Sequence, residues 1–197
     1  MGRSLHIAGA MSVGPMNRKQ IASLQFLVAE SSDMQQVLRR LLTDLGAARI
    51  GLARADDEAR RRILTDKPDV VIVAHRPPAI DGIALTRWIR AAAAPAIQEA
   101  AVIMLTARTE PALVHAARDA GVSAFLAKPV SIEALDRRIT AAVTARRPFV
   151  RAADYVGPDR RRNDAADYAG PGRRDGERTA ISPPPEDDAT DLAELDI

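Results

Sequence analysis

Between about Gln25 and Ala145, short apolar runs alternate with stretches of helical periodicity, and this restricts the fold more than any other property of the chain. Phe26-Leu27-Val28 reads as a short buried strand. Met34, Val37, Leu38, Leu41, Leu42 and Leu45 follow at helical spacing, and Gly46 closes that helix. A second strand is expected around Arg49 to Leu52, then a charge-laced helix from Asp56 to Thr65. Asp69 to Val73 is the third strand, followed by a helix from Ile83 to Ala93 that Pro95 stops. Ala101 to Leu105 is the fourth strand. The next helix has Pro111 near its first turn and Gly121 after its end. Ser123 to Ala127 is the fifth strand, and Ser131 opens a last helix through Leu135, Ile139 and Val143.

Strands and helices in strict alternation imply a doubly wound α/β fold, a parallel sheet covered on both faces. Sites in such sheets form beyond the carboxyl ends of the strands, near the topological switch point. The core must be aliphatic, because the chain holds only three Phe, two Tyr and one Trp. The absence of cysteine excludes disulfides, thiolate metal sites and cysteine nucleophiles. No apolar run reaches the length of a membrane span, and the N-terminus lacks the long apolar centre of a cleaved signal. A cytoplasmic protein is expected.

Three regions are expected: a flexible segment over 1–23, a folded domain over 24–146, and a disordered tail over 147–197. In the tail Gly, Pro, Asp and Arg leave too few apolar residues to bury. Net charge is +2, but arginine dominates from Arg146 to Arg178, and Ser182 to Ile197 carries acid and no base. The tail also holds a repeat. Ala153-Asp154-Tyr155-Val156-Gly157-Pro158-Asp159-Arg160-Arg161 recurs as Ala166-Asp167-Tyr168-Ala169-Gly170-Pro171-Gly172-Arg173-Arg174.

Four landmarks lie at the ends of the expected strands. They are Pro78-Ala79-Ile80-Asp81-Gly82 after the third, Thr106-Ala107 after the fourth, Phe125 in the fifth, and Lys128-Pro129 after it. In this order they resemble the response-regulator receiver family over roughly residues 24–145. The resemblance implies a flavodoxin-like (βα)5 sheet of strand order 2-1-3-4-5, a cis Lys128-Pro129 bond and Phe125 as the aromatic switch. It also implies a phosphoacceptor aspartate, and counting back from the Pro78 loop puts that position on Ala74. The acidic pair that normally helps to hold Mg²⁺ reads Ala29-Glu30. The resemblance is therefore to a degenerate receiver, whose vestigial pocket is Ala29, Glu30, Ala74, Thr106, Lys128 and Pro129. Mg²⁺ binding is expected to be weak or absent, since one glutamate is a poor octahedral shell. Lys128, deprived of its aspartate, is expected to bond Glu30. Asp81 reads as a cap for the helix beginning near Gly82, Asp33 as a first-turn helix residue, and His75 as an ordinary loop histidine. Trp88 reads as partly buried packing.

Three functions remain open at this stage. The leading one is a non-enzymatic signalling adaptor that binds protein partners through the last two helices and the strand between them, with a second copy of the chain as a further candidate. The second is a working phosphorelay receiver with an unusual acceptor. The third uses the repeat: Tyr155, Arg160, Arg161, Tyr168, Arg173 and Arg174 combine rings and guanidinium forks suited to a nucleotide or another anionic ligand. A solvated linker is the plain alternative for the repeat. No P-loop, nucleophile elbow or metal-ligand cluster accompanies any of these.

Overall fold

A computed structural model of the chain describes residues 16–31, 33–107, 111–144, 148–152 and 155–159. Helix α1 spans Arg18–Ser23, followed by β1 (Gln25–Ala29), α2 (Met34–Leu45), β2 (Arg49–Ala53), α3 (Asp56–Asp66) and β3 (Val70–Ala74). Then come α4 (Gly82–Arg90), α5 (Pro95–Gln98), β4 (Ala101–Thr106), α6 (Pro111–Ala120), β5 (Ala124–Ala127) and α7 (Ile132–Thr144). Strands β6 (Phe149–Arg151) and β7 (Val156–Pro158) end the described chain.

The first five strands form one sheet of order β2-β1-β3-β4-β5. Every pairing in it is parallel. Because side chains alternate along a strand, each inner strand feeds two cores. Leu27, Val71, Val73, Val102 and Met104 pack with Ile63 of α3, Leu85 and Ile89 of α4 and Ala117 of α6. Phe26, Val28, Ile72, Ile103 and Leu105 pack on the other face with Leu38 and Leu42 of α2 and Leu135 and Ile139 of α7. Covering on both faces explains why all five residues of β3 are buried. The fold is the doubly wound parallel sheet that the residue pattern implies, in the flavodoxin-like strand order that the resemblance implies.

Four sequence expectations need correction. Residues 1–23 are not uniformly loose. Helix α1 starts in a capping box between Asn17 and Gln20 and buries Ile21 in the second core; residues 1–15 lie outside the described chain. Asp33 stands at the N-cap of α2 instead of inside its first turn, and its side chain makes no capping bond. The helix expected over Ile83–Ala93 ends at Arg90, and Pro95 begins the short α5 instead of merely stopping α4. Proline suits that first position because its missing N–H has no intrahelical partner there.

The fourth correction concerns the tail. The folded domain does not stop at 146: β6 and β7 pair antiparallel as a hairpin, with Phe149 opposite Pro158 and Arg151 opposite Val156. Few apolar residues are needed, because polar groups and two rings supply the contacts. Tyr155 is 8% exposed, and its hydroxyl donates to the Pro158 carbonyl at 2.6 Å. Arg151 donates to Gln98 Oε1 (3.0 Å) and Glu99 Oε1 (2.7 Å). The Phe149 ring lies under both Arg90 and Arg151. The hairpin thus meets residues that precede β4 and β5, at the amino end of the sheet.

Candidate functional site

At the carboxyl end, adjacent strands stop nearly level. Ala29 pairs with Ala53 and Val73, Ala74 with Leu105, and Thr106 with Ala127. The residues that follow β1 and β5 continue the ladder: Glu30 N donates to Ala53 O (3.0 Å) and Lys128 N to Thr106 O (2.9 Å). These bonds aim two opposite charges at one another. Lys128 Nζ lies 2.7 Å from Glu30 Oε2, with side chains 17% and 1% exposed. Arg76 Nη1 stands 3.9 Å from the other carboxylate oxygen, at the mouth. The bond expected from Lys128 to Glu30 is present, and Lys128-Pro129 is cis, as the resemblance implies.

Ala74 is buried at the end of β3, the strand between β1 and β4. Helix α4 begins directly against it: a Cβ on Gly82 would fall 2.6 Å from the Ala74 carbonyl oxygen and 3.3 Å from Met104 Cε. Only glycine permits that approach. Asp81 caps α4, its Oδ1 accepting from Ile83 N (3.1 Å) and Ala84 N (3.0 Å). Its own amide donates to Asp56. His75 Nδ1 lies 3.5 Å from Asp81 Oδ1. Arg76 and Ile80 exchange two backbone bonds around a second cis bond, Pro77-Pro78, which sequence reasoning did not anticipate.

These residues fit Mg²⁺ poorly. The pocket supplies one carboxylate, Glu30, already held by Lys128, whereas a hard cation wants several oxygens without a competing ammonium. Among the described residues no group of three or more His, Cys, Asp or Glu is arranged to hold a metal ion.

Thr106 is buried at the end of β4. Phe125, beside Met104 in the ladder, is half-buried against the first core. Trp88 is half-buried there too, and Arg60 of α3 lies over its ring at 5.1 Å, a contact no sequence signal announced. On α7, hydrogen bonds from its own backbone amide and from Ser131 hold the Glu133 carboxyl below its ordinary pKa. Burial, then neighbouring Arg137, lowers that of Arg138. Of the tail candidates, Tyr155 is sealed in the hairpin, while Arg160, Arg161, Tyr168, Arg173 and Arg174 lie outside the described residues.

Fold and strand-end residues together define a doubly wound α/β domain with a polar cluster at the carboxyl ends of its strands. Residues 26–140 match the response regulator receiver domain, so the chain belongs to that family, the receiver module of two-component signalling. It is 33% identical over 116 residues to the "Probable chemotaxis protein CheY" of Rhizobium etli, covering 58% of this chain and 88% of that protein. It is 25% identical over 131 residues to the "Sensory/regulatory protein RpfC" of Xanthomonas campestris, covering 66% of this chain but only 18% of that protein. A putative response regulator from Chloroflexus aurantiacus superposes with a TM-score of 0.56 at 26% identity, covering 61% of this chain and 98% of its own. The chemotaxis response regulator CheY4 of Vibrio cholerae, at 22% identity and TM-score 0.55 over 60% of this chain and 98% of its own, shares the fold.

Proposed function

We propose that this chain is an atypical receiver that acts by binding a protein partner and does not itself accept a phosphoryl group. The observation that carries the reading is the pair Glu30–Lys128 at 2.7 Å beside a buried Ala74. In phosphoryl transfer a cation offsets the charge developing on the transferring group. Here Lys128 is matched by a carboxylate, and the methyl of Ala74 is no nucleophile. The pocket then works as an internal brace between β1 and β5, and no enzymatic step is assigned to it. The partner surface is the face of α6, β5 and α7, and the location is the cytoplasm. No helix among the described residues is long and apolar enough to cross a membrane.

A phosphorelay receiver with a substitute acceptor is disfavoured by the use of Asp81 as a helix cap. A nucleotide reader built on the repeat is disfavoured by the burial of Tyr155, which removes one of the two rings from stacking. Intact-mass measurement after incubation with acetyl phosphate and Mg²⁺ tests the proposal. The expected result is unmodified protein, and a stable phosphoryl adduct on any residue overturns it.

A further inference from the structure

The hairpin occupies its place through three residues that recur in the repeat. Tyr155 supplies the buried ring and the bond to the Pro158 carbonyl. Gly157 supplies absence: a Cβ there would fall 2.7 Å from Tyr155 Oη and 3.1 Å from Gly121 Cα. Pro158 supplies the carbonyl acceptor and the strand end opposite Phe149. The receiving surface is equally specific. Gly121 has a φ of 93°, and a Cβ on it would meet Arg90 Cγ at 3.0 Å and the Val156 carbonyl oxygen at 3.2 Å. Arg90, almost wholly buried, donates from Nε to Gly121 O (3.0 Å) and so braces that surface.

The second unit keeps each of these requirements. Tyr168, Gly170 and Pro171 stand in the same spacing as Tyr155, Gly157 and Pro158. The intervening residue changes from Val156 to Ala169, a position that meets Gly121 through its backbone oxygen. What the second unit does not repeat is the β6 sequence. The residues six to four places before Tyr168 are Arg162, Asn163 and Asp164, where the first unit has Phe149, Val150 and Arg151. Strand β6 of the receiving chain can serve either unit, because its ladder to β7 is made by backbone groups.

We propose that the surface formed by Gly121, Arg90 and β6 is a recognition site for a Tyr-x-Gly-Pro peptide, and that its ligand in trans is the Tyr168–Pro171 unit of a second copy of this chain. The resident first unit competes at an effective concentration on the order of millimolar. Exchange between copies therefore belongs to high or locally clustered protein concentrations. The site lies at the opposite end of the sheet from Glu30 and Lys128, so it stands whether or not the chain accepts phosphate.

The test uses the full chain carrying Tyr155→Ala and Tyr168→Ala together, titrated with a synthetic peptide of residues 164–175. Saturable shifts of the Gly121 amide are expected, with binding at least about tenfold weaker for the same peptide carrying Tyr168→Ala, in line with loss of a buried aromatic anchor. No binding at millimolar peptide, or equal binding of the two peptides, overturns the proposal. Should the double variant not fold, the wild-type chain serves, since its two tyrosines give two ring signals. Excess peptide is expected to move the Tyr155 signal from its buried position, and an unmoved signal overturns the proposal. Sedimentation at rising concentration reads the exchange itself: a dimer fraction lost in Tyr168→Ala supports it, and a dimer fraction unchanged by that substitution, or no dimer at all, contradicts it.

Discussion

The two ends of the central sheet each hold a largely buried cation, and they satisfy it in different ways. At the carboxyl end Lys128 meets one carboxylate, Glu30. At the amino end Arg90 spreads its donors over the carbonyls of Gly121, Gln98 and Ala100 and the Ser123 hydroxyl. Lysine is a compact point charge that pairs well with a single anion, whereas the guanidinium is a planar fork that can bridge several chain segments. The carboxyl end is thus a brace between two strands. The amino end is a joint, tying α4, the approaches to β4 and β5, and the C-terminal hairpin together.

If that contrast is right, the largest loss follows removal of the bridging cation. Arg90→Leu removes the donor from three carbonyls, those of Gly121 and Ala100 buried, loosens the hairpin, and should cost about 4 kcal/mol in urea unfolding. Lys128→Met removes the cation 2.7 Å from the buried Glu30 carboxylate and should cost about 3 kcal/mol. The double variant Glu30→Leu/Lys128→Met should recover much of that loss, because no uncompensated charge remains. A double variant as unstable as the sum of its parts would show that the two residues do not act as a pair. At the joint, Gly157→Ala forces a methyl against Tyr155 Oη and should cost about 2 kcal/mol, while Tyr155→Phe keeps the ring, removes the bond to Pro158 and should cost about 1 kcal/mol. The smallest effect is expected from Arg151→Ala, whose ion pair with Glu99 is half-exposed, at about 0.5 kcal/mol. A hairpin whose variants leave stability untouched would mean that the domain ends at α7.

The carboxyl end was legible because its chemistry is written in short, ordered signals. Lys128-Pro129, Thr106 and the loop through Asp81-Gly82 fall at strand ends that apolar runs already locate, and the gap at Ala74 made Glu30 the natural partner for Lys128. Asp81 was readable as a cap because a carboxylate before a helix start accepts otherwise unpaired amides. The amino end was illegible for a physical reason as well. The hairpin is held by backbone pairing, one tyrosine, arginine–ring contacts and glycines without room for a Cβ, and none of these raises local hydropathy. By composition alone, Arg, Asp, Gly and Pro read as unfolded chain. The repeated Tyr-x-Gly-Pro unit was the available signal, but it spoke of a ligand site and not of tertiary packing. Helix α1 escaped likewise, since six residues with one buried isoleucine leave almost no periodicity to detect.

The account rests on the carboxyl end being a closed brace instead of a phosphoryl site. The most direct measurement is an amide spectrum of the full chain, recorded before and after Mg²⁺ and acetyl phosphate are added together. The account predicts unchanged positions for Glu30, Ala74, Thr106, Phe125 and Lys128. Shifts that begin at Glu30 and Thr106 and spread through Phe125 into α6 would contradict it.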